Sequence, residues 1–349
     1  MTRSGRLAAT AGVTVTALLS LLGGAADGRA APAPPKFKYY LAMGDSYTAA
    51  PLVPPLDLST LACLRSGGNY PALLATKLKV PKVTDVSCGG ADSTHLQTAQ
   101  ATPAGFVPAQ FDALAKTVDL VTLGIGGNDF GVLAALFAVC PSLRSSDPDG
   151  APCKKRFTVG GKDQLKENVT KTKARLTAAV KTIRPRIAPK ATIVLVGYPT
   201  IAPAKTVCAD LPLAKGDYAY LNATVIELNK AIQAAAKTTG AKYVDIFKAS
   251  TGHDVCAKEK AWIQGKDPDL LKAAAFHPRA EEQAAVADLI VKSLSGRQLS
   301  ISSAEQEAWS PGAAERRRQS VAVLDVPANR DRLTERLRQN GLFPAAPRT

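Results

Sequence analysis

Two kinds of stretch alternate along this chain. Short runs rich in apolar and β-branched residues recur at 39–45 (YYLAMGD), 83–87 (VTDVS), 119–127 (DLVTLGIGG), 191–199 (ATIVLVGYP) and 241–247 (AKYVDIF). Longer stretches of helical character lie at 163–185, 216–240 and 279–294. The runs at 119–125 and 193–197 are nearly continuous in apolar residues, which predicts strands covered on both faces. Strands alternating with helices predict an α/β fold, a three-layer α/β/α domain around a central parallel sheet of about five strands.

Three regions fall outside this pattern. Residues 140–162 (CPSLRSSDPDGAPCKKRFTVGGK) are a Pro/Gly/Ser-rich excursion with a cysteine at both ends of its first part, the composition of a stapled loop. Residues 1–30 combine a basic start at Arg3 and Arg6, an apolar middle and a small-residue end. That is the pattern of a secretory signal peptide, cleaved near Ala30. Its glycines and threonines make it weakly apolar, against a retained anchor. After 296 the basic residues change type: 25 Lys and 7 Arg lie between 31 and 296, whereas nine Arg and no Lys follow. This shift predicts one folded domain over 31–296 and an Arg-rich, flexible extension over 297–349, with NRDRLTERLRQNGLF suited to a short helix.

An apolar content of 46% with 21% charged residues marks the chain as globular rather than disordered. Six cysteines follow the signal segment, at 63, 88, 140, 153, 208 and 256. An even number in an exported chain predicts disulfides. The absence of any C-x-x-C spacing leaves a zinc or redox motif without support, and no metal or cofactor is expected. The net charge is +15; without the signal segment 41 basic residues face 28 acids, or +13. Such a surface suits solubility and transient contact with anionic lipid or cell-wall material. Nucleic acid is not an expected partner, because the lysines are scattered with no aromatic-interleaved cluster. The chain is expected to act as a monomer.

In parallel sheets ligands bind at the carboxyl ends of the strands, and this rule picks out a short list of residues. The first run stops at Gly44-Asp45-Ser46, the second at SCGGA (87–91) with Gly89 and Gly90, the third at GIGGND (124–129) with Asn128 and Asp129. Paired glycines let backbone N–H groups approach a ligand closely, and an asparagine amide is a neutral donor. Those are the components of an oxyanion hole. A serine nucleophile needs a base, and histidine suits neutral pH. His95 sits in a polar segment and His253 in STGHDVC, a loop beside a cysteine. His277 lies in AAAFHPRAEEQ, where Pro278 helps to start the last helix. A Gly-Asp-Ser triplet alone is most often an ordinary turn. GIGGND departs from a phosphate-cradling loop, because Asp129 replaces its third glycine. The sequons at Asn168 and Asn222 fall in predicted helices and read as chance matches.

LAMGDSYTAAPLVPP, SCGGA, VTLGIGGND and FHP occur in the order and spacing of the four blocks of the SGNH (GDSL-type) hydrolases. Over residues 37–294 the chain most resembles the secreted actinobacterial esterase/lipase branch of that family. The resemblance implies a flavodoxin-like SGNH hydrolase fold and a secreted serine esterase or lipase that works through an acyl-enzyme, without a cofactor. It implies Ser46 as nucleophile, His277 as its base, and an oxyanion hole made by the N–H groups of Ser46 and Gly90 with the Asn128 amide. Gly90, rather than Gly89, aligns with the family's glycine. From similar secreted members it also implies the disulfides Cys63–Cys88, Cys140–Cys153 and Cys208–Cys256.

A phospholipase is the alternative activity, and a catalytically silent binding protein on the same fold is the non-enzyme alternative. One departure stands out: the aspartate that commonly lies three residues before the histidine is Ala274 here. Some members with this change hold the ring through a backbone carbonyl, which predicts a Ser46–His277 dyad. Asp267 and Asp269 remain the acidic candidates. The apolar loop AAPLVPPLDL (49–58) suggests lipid-like acyl groups, although its Pro and Leu equally suit packing.

Overall fold

Each of the five apolar runs builds a strand of one sheet in the computed structural model, which describes residues 37–295 and 310–339. The signal segment expected at 1–30 lies outside the described residues. The strands are β1 (Tyr39–Gly44), β2 (Lys82–Asp85), β3 (Leu120–Gly124), β4 (Thr192–Val196) and β5 (Lys242–Val244). They pair in the order β2-β1-β3-β4-β5, and every pairing is parallel. The last run splits after β5: Asp245 caps a short helix over Ile246–Ala249 instead of extending the strand.

Side chains alternate across the strands, and the alternation divides the core in two. Leu41, Met43, Val121, Leu123, Ile193 and Leu195 face one apolar layer, whereas Tyr40, Ala42, Leu120, Val194 and Val196 face the other. The first layer is covered by α3 (Gln164–Ile183) and α4 (Asp217–Thr239). The second is covered by α2 (Tyr70–Leu78) and α5 (Ala280–Ser295). The α3 helix forms because Leu165, Val169, Leu176, Val180 and Ile183 recur at helical spacing on one buried stripe. Asp163 caps it by accepting from the N–H groups of Leu165 and Lys166.

The disulfides Cys63–Cys88, Cys140–Cys153 and Cys208–Cys256 are formed, the pairs that the resemblance implies. The second staples the excursion at 140–162, which holds short helices at Cys140–Leu143 and Pro152–Phe157.

The Arg-rich extension, read from composition as flexible, holds two helices, α6 (Ser310–Leu324) and α7 (Pro327–Gln339). Leu324, Leu333 and Leu337 pack against Leu52, Leu64 and Ala274, and Leu56 N–H donates to Ser320 Oγ at 3.3 Å. A leucine repeat at helical spacing has apolar surface to bury, and the loop after residue 49 supplies the facing surface. In that loop Leu52 packs with α6 and α7, and Val53 is buried with Ala50 and Ala273, which is the packing role the sequence left open for its apolar residues.

Candidate active site

The strand order reverses direction between β1 and β3, and a sheet wound this way leaves its crevice at the carboxyl ends of those two strands. The loops that follow β1, β2 and β3 meet there. Gly44, the last residue of β1, is bracketed by Gln110: Gly44 N–H donates to Gln110 Oε1 (2.8 Å) and Gln110 Nε2 donates to Gly44 C=O (2.9 Å). A Cβ at Gly44 would lie 2.5 Å from the Gly124 carbonyl, so only glycine allows this close approach of two backbones. Asp45 then turns the chain into α1 (Ser46–Ala49), accepting from Tyr47 N–H at 2.9 Å as its N-cap. Ser46 opens that helix and is 7% exposed. Among the described residues neither its N–H nor its hydroxyl is engaged in a hydrogen bond, so the resting site has no direct bond from Ser46 to a base. Catalytic hydrogen bonds are commonly long before substrate binds.

The turn after β2 is fixed by Cys63–Cys88, which ties it to the loop following the serine. Gly89 N–H is committed to Cys63 C=O (2.8 Å), and Gln100 Nε2 donates to Gly89 C=O (2.8 Å). Gly90 adopts φ +75°, a left-handed conformation open to glycine, and its N–H is unclaimed among the described residues.

After β3, one N–H of the Asn128 amide donates to Ala91 C=O (2.9 Å), which orients the amide and leaves its second N–H available. Asp129 is fully buried and accepts from both Ser93 N–H and Ser93 Oγ at 2.7 Å. Burial raises its carboxyl above the usual carboxylate range, and Arg175 at 3.9 Å opposes the rise. Asp129 therefore fastens the third loop to the second and does not face a phosphate.

His277 enters from the other end of the chain. The preceding Phe276 has φ +58°, a conformation that costs a bulky residue about 1–2 kcal/mol. Its ring stacks on Phe137 at 5.0 Å, and its carbonyl accepts from the Tyr47 hydroxyl at 2.8 Å. The residue after the serine thus holds the residue before the histidine, and the Tyr47 and His277 rings lie 5.5 Å apart. Gln283 in α5 adds a second tie, donating to Tyr47 C=O (3.0 Å) and accepting from Tyr70 N–H (2.7 Å). His277 Nδ1 lies 2.7 Å from the Ala275 carbonyl. A carbonyl only accepts, so Nδ1 carries the proton and Nε2 keeps its lone pair. Burial pushes the His277 pKa down to about 4, against the opposing pull of the Ala275 carbonyl, so the ring is neutral at physiological pH.

Neither acidic candidate is positioned to take that place. Asp267 is an exposed partner of Lys266 (2.5 Å), and Asp269 accepts from Leu271 N–H (2.9 Å) within its own turn. Asp267→Asn and Asp269→Asn should each retain most of the wild-type kcat in an ester assay. A collapse in either would restore an acidic third member.

The other sequence candidates have structural roles. His95 Nδ1 accepts from Asp92 N–H (3.0 Å), and His253 stacks on Trp262 at 4.2 Å. The Asn168 and Asn222 amides donate to Phe130 C=O (3.4 Å) and Ala202 C=O (2.9 Å) from within α3 and α4. Sequence reasoning missed Tyr47, Gln110 and Gln283, because their task is to join segments far apart in the chain and no local pattern marks it.

Fold and strand-end loops together define an ester hydrolase of the α/β class. The chain belongs to the GDSL-like lipase/acylhydrolase family, whose profile matches residues 42–285. It is 40% identical over 263 residues to Lipase 2 of Streptomyces coelicolor, covering 74% of this chain and 86% of that protein. Among solved structures it is similar to phospholipase A1 from Streptomyces albidoflavus NA297 (27% identity, TM-score 0.60, 73% of this chain and 98% of that one). It is also similar to an extracellular lipase from Streptomyces rimosus (26% identity, TM-score 0.58, 73% of this chain and 97% of that one).

Proposed function

We propose that this enzyme is a secreted esterase or lipase in which Ser46 and His277 act as a dyad. The observation that carries the reading is the set of uncommitted groups at the strand ends. The N–H groups of Ser46 and Gly90 and one N–H of Asn128 have no partner among the described residues, and they lie in the loops that meet beside a neutral, oriented histidine. Donors that no protein group uses, set beside a base, are available to a ligand oxygen. In this reading His277 Nε2 takes the Ser46 proton as Oγ attacks the acyl carbon. The three donors hold the oxygen of the tetrahedral intermediate, and the proton passes to the leaving alkoxide. Water, deprotonated by the same nitrogen, then releases the acid. The Ala275 carbonyl keeps the tautomer that this sequence of transfers requires.

Export is supported by the signal-like start, by three disulfides, and by the extracellular lipase among the similar structures. The phospholipase reading is favoured by the similarity to the S. albidoflavus enzyme and by the basic surface. Turnover of p-nitrophenyl esters of graded acyl length, alongside phospholipid vesicles, separates the two. A preference for the vesicles over every soluble ester would select the phospholipase, and the reverse would select the esterase or lipase.

The base also sets a pH expectation. Protonation destroys its function, so a pKa pushed down to about 4 moves the acid limb of kcat/KM well below the ordinary histidine value of about 6.5. The profile should stay nearly flat from pH 8 down to about 5 and fall as pH approaches 4. The same shift acts on stability. Below about 6.5 the unfolded chain takes up a proton that the folded ring refuses until near 4, so folding weakens as pH falls through that window. A half-maximal activity at pH 6.5 or above would contradict the assignment of His277 as a desolvated base.

A further inference from the structure

One buried hydroxyl joins the two halves of the proposed site, and no part of the chemistry above uses it. We propose that Tyr198 is a positioning residue whose hydroxyl links the turn carrying Ser46 to the loop carrying Asn128. Tyr198 lies two residues beyond β4 and is 1% exposed. Its oxygen accepts from Gly127 N–H at 2.7 Å, and its O–H donates to Asp45 Oδ2 at 2.5 Å. Gly127 immediately precedes Asn128, and Asp45 immediately precedes Ser46. The phenol therefore spans from one residue before the oxyanion amide to one residue before the nucleophile.

Both ends of this link are held. Asp45 spends its other oxygen, Oδ1, on Tyr47 N–H at 2.9 Å, so the same carboxyl that caps α1 also receives the tyrosine. The backbone of Tyr198 is gripped by Asn229 of α4, whose Oδ1 accepts from Tyr198 N–H (2.7 Å) and whose Nδ2 donates to Tyr198 C=O (2.8 Å). The Tyr198 ring meets the Tyr47 ring edge-on at 5.1 Å. Burial pushes the Asp45 carboxyl up to about 7, and the Tyr198 hydrogen bond works against that rise. The Tyr47 N–H also works against the rise, and the nearby Asp129 carboxyl adds to it. A tyrosine buried purely for packing would satisfy its hydroxyl with any nearby carbonyl. Here the donor and the acceptor come from the two loops whose spacing fixes the distance from the nucleophile to the amide.

This inference rests on the reading of Ser46 as nucleophile and Asn128 as oxyanion donor. A misplacement of about 1 Å in such a pair costs up to about 100-fold in rate. Tyr198→Phe, which keeps the ring and removes the link, should lower kcat on a soluble p-nitrophenyl ester by about 10- to 100-fold with KM unchanged. Asp45→Ala removes the acceptor at the other end and should give a loss of the same kind, with the α1 cap lost as well.

The discriminating measurement is a double-mutant cycle with Asn128→Ala. If Tyr198 acts by placing that amide, Tyr198→Phe should cost little once the amide is gone. Fully multiplicative losses would overturn the proposal, and so would wild-type kcat in a folded Tyr198→Phe variant. The two readings fail separately. An active Ser46→Ala overturns the nucleophile assignment and the link with it, whereas a dead Ser46→Ala beside a fully active Tyr198→Phe overturns the link alone.

Discussion

Ser46→Ala should abolish turnover of p-nitrophenyl esters, lowering kcat by about a million-fold where the acyl-enzyme route carries all of the rate. That corresponds to about 8 kcal/mol of lost transition-state stabilisation. The size of the effect follows from the site's economy. In the proposed dyad the hydroxyl is the attacking group, so without it the remaining groups can bind the ester and polarise its carbonyl but cannot attack it. The loss should be confined to chemistry. Ser46 makes no side-chain hydrogen bond among the described residues, so removing its hydroxyl leaves no buried group unpaired, and the melting temperature should stay within a degree or two of wild type. His277→Ala should cost nearly as much, and combining the two should add little, because serine and base act as one unit. A Ser46→Ala enzyme with measurable turnover at wild-type KM would remove the serine from the mechanism.

Asn128→Ala should reduce kcat by about 100- to 1000-fold, or about 2.7–4 kcal/mol, the usual cost of one oxyanion donor. The geometry says why the loss should fall on kcat rather than on KM. One amide N–H is already used to fix the side chain to Ala91 C=O, so the other is pre-aimed and costs no reorganisation when charge develops on the substrate oxygen. Asn128→Asp is the sharper form of the test. It is nearly isosteric, yet it places a carboxylate, an acceptor only, against the Ala91 carbonyl and the developing oxyanion, so it should be at least as damaging as alanine. Single-turnover kinetics that show normal acylation in Asn128→Ala would refute the assignment.

Much of the proposed site was legible from the chain alone, for an identifiable reason. Hydrophobic periodicity sees strands, and in a parallel sheet the strand ends are where ligands sit, so Ser46, the Gly89-Gly90 pair and Asn128 could be picked out without coordinates, with the resemblance choosing Gly90. The cysteine pairs followed from the resemblance and are formed in the structure. In the Arg-rich extension the helix suggested by NRDRLTERLRQNGLF is α7, while a change in residue type says nothing about where three leucines find a partner surface. The same packing uses Leu52 and Leu56 of the loop after the serine, one of the two roles its apolar content allowed.

The sequence by itself determined the sheet, the glycine stop after β1, the serine that follows it and the histidine before the last helix. Each is a local property: periodicity, the missing Cβ at Gly44, or a proline after His277. Tertiary structure decided how the ring of that histidine is held, with the Ala275 carbonyl in place of Asp267 or Asp269. It also decided which glycine N–H stays free, because Cys63 C=O, 26 positions away from Gly89, takes the competing one. The Tyr198 hydroxyl, reaching back 153 positions to Asp45, belongs to the same class. These choices turn on which donor meets which acceptor when distant segments pack, and hydrogen bonding depends on angle and distance to a few tenths of an ångström. A linear pattern carries the residue types but not that geometry.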